Sequence, residues 1–416
     1  MIICTIWKGK TEMKIKSLIA VLLCGLLLTG CTDRRAEVQS GPEAQIEQIA
    51  TGTSEENVTS EIVPSNERVP DEAADENASE ASAGNSGEAA DENLGENSPE
   101  NSAEDSQAEE AVRESFTFNP HICPKKLYEA YSPEEWEAFF NLCDALRAGE
   151  DTFKCANRMS YEWCFSGGPL DEFFPLARFT LDADFVSGYS NGVGQIRYNI
   201  PKEEFLEKQK AFEQLIVDIL NENVRQDYTD FEKCLALYEY MVNQYEYDWE
   251  EYANNDLDIL ANLPKGTYGT YRTFYDKKGI CDDLSSVYNY LLLQCGVEAL
   301  KFTGGSGDSS HAWSYVTIDG AGYFIDPTWG ISERGSRELA YFMTTDSERL
   351  FYFDKYMGPQ IFYYDFKNKD VDFSASDDRY APLHNGKAVS MNRKSKILKY
   401  SVDGRIREFH YDTQNE

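Results

Sequence analysis

Between Thr32 and Ser115 the chain holds almost no bulky apolar side chains, and this limits where a core can form. The stretch is built from Glu, Asp, Ala, Ser, Asn and Gly, and runs such as DEAADENASEASAGNSGEAADENLGENSPENSAED are near-repetitive. It cannot bury enough surface to offset the entropy of ordering its backbone, so disorder is expected. From Asp33 to Ser115 it carries 23 acidic and 4 basic residues, so more than half of the net charge of −34 sits here. Like charges stretch such a segment beyond the ~50 Å that a flexible coil of this length reaches. It reads as a spacer. An acidic tail for a basic partner is the other reading, but regularly spaced cation ligands are lacking. The remainder is still acidic and repels a phosphate backbone, which argues against nucleic acid as a partner.

The N-terminal residues read as an address. From Met13, which reads as the start, the chain runs MKIKSLIAVLLCGLLLTGC. Lys14 and Lys16 form a positive head, and the apolar run Ser17 to Leu28 is shorter than the ~20 residues that span a bilayer. Leu28-Thr29-Gly30-Cys31 resembles the bacterial lipoprotein signal. That resemblance implies cleavage before Cys31 and a lipid on Cys31, which attaches the protein to the outer face of the cytoplasmic membrane. Residues 1–30 are then the signal peptide and 31–115 the lipidated tether. An uncleaved anchor helix is the alternative.

Folded sequence begins near Phe116, and residues 116–228 read as a helix-rich region. Ser132-Pro133-Glu134-Glu135 has an N-cap, a proline at the first helical position and first-turn acids. Trp136, Phe139, Phe140, Leu142, Cys143 and Leu146 follow at helical spacing. Leu176–Phe185 and Gln195–Ile200 read as strands. Helices are expected after Pro201 and from Asp230, read as a cap. Of the ten cysteines, seven lie from Cys123 to Cys295, an odd number that leaves at least one thiol unpaired. Cys143 and Cys234 sit among apolar helical positions as small hydrophobes. Cys123, Cys155 and Cys164 are the better disulfide candidates, and their pairing, like that of Cys295, stays open. His121 beside Cys123 lacks a second pair at zinc-like spacing, so no metal is expected, and no organic cofactor either. His384 and His410 have no supporting pattern and read as surface residues.

The chemistry lies in Tyr268–Gly330. Leu284, Val287, Tyr288, Leu291, Leu292 and Cys295 recur at helical spacing, and Gly296 ends the helix. Cys281 therefore stands at a helix N-terminus, where unpaired N–H groups favour the nucleophilic thiolate. Asp282 and Asp283 oppose that anion, so a cationic histidine partner is required. Val297–Thr303 and His311–Ile318 read as strands. Asp319-Gly320 reads as a turn, and Tyr323–Asp326 as the returning strand. This hairpin brings Asp326 beside His311, giving nucleophile, base and orienting carboxylate.

Gly279-Ile280-Cys281, His311-Ala312-Trp313 and Asp326-Pro327-Thr328-Trp329 resemble, in order and spacing, the transglutaminase-like superfamily of papain-like cysteine enzymes. The resemblance covers Phe231 to Trp329 and extends toward Phe353, where Tyr341–Asp346 looks like the strand and loop that follow. Residues Phe116 to Tyr228 look like the helical leader of lipoproteins in this group. The resemblance implies an α+β fold, with a nucleophile helix packed on an antiparallel sheet behind a helical leader. It places the catalytic domain at 229–365; beyond it, residues 366–416 read as an extension in which Ile397–Asp412 alternates about a Val402-Asp403-Gly404 turn as a β-hairpin. It makes Cys281 the nucleophile, His311 the base and Asp326 the orienter. Tyr271, Trp313 and Trp329 become cleft or oxyanion candidates, although the two tryptophans suit the core as well. The Asp282-Asp283 pair departs from the family pattern. The expected activity is acyl transfer through a Cys281 thioester in a monomer. Hydrolysis of an amide or peptide bond in a cell-surface protein or wall peptide leads, with an amine-transferring cross-linker or a non-catalytic binding module as alternatives.

Overall fold

A computed structural model of the protein describes residues 114–412, apart from 166–168, 184–185, 254–268, 307–308, 333–337, 351–357 and 360–370. The expected signal peptide, Cys31 and the expected tether up to residue 113 lie outside the described residues, as does the expected boundary at 365/366. No helix among the described residues is long and apolar enough to cross a membrane.

Helix α1 (Pro133–Ala148) starts where its sequence dictates. Ser132 accepts from the Glu135 N–H, the Glu135 carboxylate accepts from the Ser132 N–H, and Gly149 ends the helix in the left-handed region. Its buried face is Trp136, Phe139, Leu142, Cys143 and Leu146. Helix α2 (Lys202–Asn223) buries Phe205, Phe212, Ile216, Ile219 and Leu220 at the expected period.

Between them the strand expectation fails in part. Ala177–Thr180 is a helical turn, held where Thr180 Oγ1 donates to the Leu176 carbonyl at 2.6 Å. Only Leu181–Asp182 is extended, paired with Arg197–Tyr198. Gln195 instead pairs with Thr152, so the second expected strand changes partner at Ile196. Helix α3 (Asp230–Gln244) is capped one residue earlier than expected, by Thr229 with Glu232 as its reciprocal partner.

Strand β1 (Glu246–Tyr247), helix α4 (Trp249–Ala253) and helix α5 (Thr270–Asp276) lead to strand β2 (Lys278–Gly279), which pairs in parallel with β1. Helix α6 (Cys281–Gln294) follows. It is buried on nearly every side because α3, α5 and a sheet all pack on it. Each large apolar side chain sunk this way contributes about 1.5–3 kcal/mol. The sheet consists of β3 (Glu298–Ser306), β4 (Ser309–Ile318), β5 (Ala321–Ile325) and the short β6 (Gly358–Pro359). Its order is β5-β4-β3-β6 and every pairing is antiparallel. Asp319 (φ 51°) and Gly320 (φ 81°) make the tight β4–β5 turn that an Asp-Gly pair favours. Helix α7 (Pro327–Ser332) follows β5, and α8 (Asp346–Leu350) comes after a single bridge between Phe324 and Thr344. That bridge stands where a strand and loop are expected, at Tyr341–Asp346. The fold is thus α+β, with the Cys281-headed helix packed on an antiparallel sheet, as expected.

At the C-terminus β7 (Lys387–Asn392), β8 (Ile397–Val402) and β9 (Arg405–His410) form a three-stranded antiparallel sheet. The expected hairpin is β8–β9, and β7 adds a strand whose alternation is too weak to read. This sheet is tied to α3 by Glu232, which is 1% exposed and receives Tyr411 Oη at 2.6 Å and Lys396 Nζ at 3.2 Å. Glu232→Ala removes the α3 capping box and leaves two donors without their acceptor. The variant is expected to lose about 2–3 kcal/mol in urea unfolding, whereas Glu408→Ala on exposed β9 changes stability by less than about 0.5 kcal/mol.

Candidate active site

Cys281 is the first residue of α6 and is half-buried. Unlike α1 and α3, this helix has no side-chain cap, since its N-cap is Ile280. Its first-turn N–H groups therefore have no side-chain acceptor from the N-cap and can serve an anion. The approach is tightly specified. A Cβ on Gly279 would sit 2.7 Å from Thr273 Oγ1 and 3.1 Å from Asp283 Cβ, so only glycine lets β2 enter α6 this closely.

The strand register supplies the partner pair. Ile325 lies opposite Ser314, so Asp326, one step on, falls across from Trp313 and diagonal to His311 on the same face. His311 Nε2 lies 2.8 Å from Asp326 Oδ2. Asp326 is 1% exposed, and its Oδ1 accepts the Trp329 N–H at 3.0 Å. Burial works to raise the Asp326 pKa, but His311, Arg349 and the Trp329 N–H outweigh it and hold the carboxyl below its ordinary value. An ionised Asp326 can only accept, so His311 Nε2 carries the hydrogen and Nδ1 is the basic nitrogen. Helix α6, headed by Cys281, packs directly against the strand that carries His311.

The candidates Tyr271, Trp313 and Trp329 divide. Trp313 is fully buried and does not line an open cleft; its ring lies 5.9 Å from the imidazole. Trp329 is half-buried and stacks on His311 at 5.1 Å and 12°. Both restrict how the imidazole can turn. Tyr271 packs at 5.4 Å against Phe212 of α2 and at 5.1 Å against Tyr275, which gives it a structural task at the α2–α5 contact. Its ring also lines a surface depression with Glu207, Lys208, Arg272 and Asp276 between α2 and α5.

The two acids after the nucleophile do not present two bare anions. Lys301 of β3 is 3% exposed, and its Nζ meets Asp282 Oδ1 at 3.0 Å, Glu172 Oε1 at 2.7 Å and Ser286 Oγ at 2.8 Å. Burial works to lower the Lys301 pKa, but Asp282 and Glu172 raise it above its ordinary value, so Asp282 faces a permanent cation. Asp283 is buried, and burial followed by Glu251 and Asp282 pushes its carboxyl up to about 8. Its protonated form is favoured over the anion. The negative charge beside Cys281 is thus offset at one acid and disfavoured at the other.

Sequence reasoning misses several residues. Glu172 lies on the short helix Pro169–Phe173, more than a hundred residues before Lys301. Lys301 does leave one sign, a cation between Leu300 and Phe302 in a buried strand. Arg349 sits in an ordinary charged turn, DSERL, with no local signal. His384 is not a surface residue: its side chain is 11% exposed, with Nδ1 2.8 Å from Glu348 Oε1. His410 is exposed. His121 pairs with Asp144 at 2.9 Å, and no group of three metal-type side chains gathers among the described residues. None of the seven cysteines from Cys123 to Cys295 is in a disulfide, Cys123, Cys155 and Cys164 included. Burial pushes the Cys123 and Cys295 thiols up to about 12.

Residues 218–326 match the family model of the transglutaminase-like superfamily, a span that contains Cys281, His311 and Asp326. Similar solved structures include one described as a TGase, 24% identical over 31% of this chain and 34% of its own, with a TM-score of 0.23. A candidate cysteine protease from Cytophaga hutchinsonii is 14% identical over 36% of this chain and 42% of its own, at 0.23. LapG of Legionella pneumophila is 14% identical over 32% of this chain and 70% of its own, at 0.20. The chain thus spans well under half the length of the first two. No curated protein matches the chain.

Asp283 sets a pH dependence of stability. Its folded carboxyl titrates near 8 and its unfolded one near 3.8. Between these values the folded state holds the extra proton, so stability falls as pH rises from about 4 to 8. Asp283→Asn is neutral in both states, and its stability relative to the parent is expected to grow from pH 5 to pH 8 in urea unfolding. Parallel curves would mean that Asp283 is ionised in the folded protein.

Proposed function

We propose that this protein is an acyl-transfer enzyme using a Cys281–His311–Asp326 triad, most simply a hydrolase of amide or peptide bonds. The observation that carries the reading is the buried His311 Nε2–Asp326 Oδ2 contact of 2.8 Å beside the uncapped helix headed by Cys281. His311 Nδ1 takes the Cys281 thiol proton as Sγ attacks the amide carbonyl. The resulting oxyanion is met by the Cys281 backbone N–H at the positive end of α6. The C–N bond then breaks, the imidazolium returns its proton to the leaving amine, and an acyl thioester remains. Water, deprotonated by the same imidazole, releases the acid and regenerates the thiol. An amine in place of water would give cross-linking.

The apolar run ending at Leu28-Thr29-Gly30-Cys31 and the acidic stretch behind it support a lipid-anchored enzyme held away from the membrane. Its substrate class is then protein or wall peptide at the cell surface, approached by a monomer.

Intact mass spectrometry of the chain after exposure to an amide-substrate library, with and without an amine donor, tests the activity. A transient adduct on the parent but not on Cys281→Ala is expected, together with loss of at least about a thousandfold in turnover for that variant. The released product separates hydrolysis from transfer. Equal turnover by parent and variant would sink the proposal.

A further inference from the structure

We propose that Arg349 is a positioning residue that locks the Asp326 carboxylate against His311. Arg349 is 2% exposed, and its Nη2 lies 2.9 Å from Asp326 Oδ2, the same oxygen that meets His311 Nε2. With Oδ1 bound to the Trp329 N–H, the carboxylate cannot rotate without breaking bonds to three groups. The guanidinium in turn lies 4.4 Å from the Trp313 ring centroid and 4.8 Å from that of Trp329. Those are the two indoles that flank the imidazole, so one planar cation fixes both the carboxylate and the walls around the base.

Helix α8 is itself held in place, which a bystander arginine would not require. Glu348 Oε2 accepts from the Thr345 N–H at 2.8 Å, and Glu348 Oε1 lies 2.8 Å from His384 Nδ1. His384 Nε2 faces the Phe342 and Met343 carbonyls at 3.0 and 3.2 Å. Burial works to raise the Glu348 pKa, but His384 and Thr345 outweigh it and hold the carboxyl down to about 2, so this clamp stays ionised. The C-terminal region therefore pins the helix that presents Arg349.

The charged and titratable groups facing the dyad come from every packed element. Asp326 follows β5, Arg349 comes from α8 and Tyr238 from α3, with Tyr341 and Glu338 beside Tyr238. Asp282 is turned to Lys301. Among these, Arg349 is the permanent cation within hydrogen-bond distance of Asp326. Without it, Asp326 loses the permanent charge that favours its ionised form while buried, and it protonates at higher pH. A protonated Asp326 no longer fixes the His311 tautomer.

This inference rests on the triad reading above, and its test separates the two. The rate of Cys281 alkylation by iodoacetamide, read by peptide mass spectrometry, is followed from pH 4 to 9 in the parent, Arg349→Gln and Arg349→Lys. In Arg349→Gln the acid-side loss of reactivity is expected to move up by about one pH unit, with a lower plateau. Arg349→Lys keeps the charge but not the planar fork. Its acid limb should stay with the parent while its plateau falls severalfold. A purely structural role would lower the rate at all pH values without moving the limb, so an unmoved limb in Arg349→Gln overturns the proposal. If Arg349→Gln does not fold, Arg349→Met is measured in its place, and an unmoved acid limb there overturns the proposal, as does a parental plateau in Arg349→Lys. Should Cys281 of the parent react no faster than the other thiols, the triad reading falls and this inference with it. A reactive parent with unaffected variants would remove this inference only.

Discussion

A carboxylate removed from water must be matched on every side or it will protonate, and Asp326 is such a group at the junction of the fold. It terminates β5, takes the first N–H bonds of α7 and faces β4 through His311 and α8 through Arg349. Its own N–H donates to the Tyr341 carbonyl at 2.9 Å, and so ties in the chain that leads to α8. An isolated buried carboxylate costs several kcal/mol, and a partner removed from such a site leaves that cost uncompensated. The sheet, the two short helices and the indoles around the imidazole are therefore arranged about one charge. The geometry needed to orient a base is the same geometry that keeps this charge tolerable.

A second buried charge governs the nucleophile's side. Lys301 reaches from the sheet to Asp282 on α6 and to Glu172 in the leader. The leader is thus part of the site's electrostatics and does more than cover it. Phe212 of α2 packs on Tyr290 of α6 at 5.7 Å, so the apolar contacts cross the same line. Residues 116–228 read as a separate region because their pattern differs. Physically they supply both a wall of the core and one corner of the ion cluster beneath Cys281. Lys301 and the burial of Asp283 together offset the Asp-Asp pair that follows Cys281.

Much of the fold is legible in the sequence because it depends on local rules. The capping box at Ser132, the left-handed stop at Gly149, the Asp319-Gly320 and Asp403-Gly404 turns and the apolar period of α6 each follow from a few neighbouring residues. Where local rules compete, reading fails. At Leu176–Phe185 the alternation suggests a strand, yet the Thr180 hydroxyl closes a helical turn on the Leu176 carbonyl. Thr229 takes the cap from Asp230 because Glu232, three residues on, completes the reciprocal bond.

The sequence by itself determined the order and spacing of Cys281, His311 and Asp326, the helix start at the cysteine and the hairpin whose register sets His311 diagonal to Asp326. These depend on periodicity and turn chemistry, which act over a few residues. Only the tertiary structure decided the surroundings: Arg349 on Asp326, the indoles around the imidazole, Lys301 under Asp282, and the burial of Asp283. Those are long-range choices, made because buried charges must find partners wherever the packed chain supplies them. A residue such as Glu172, 129 positions before Lys301, bears no local mark of that pairing.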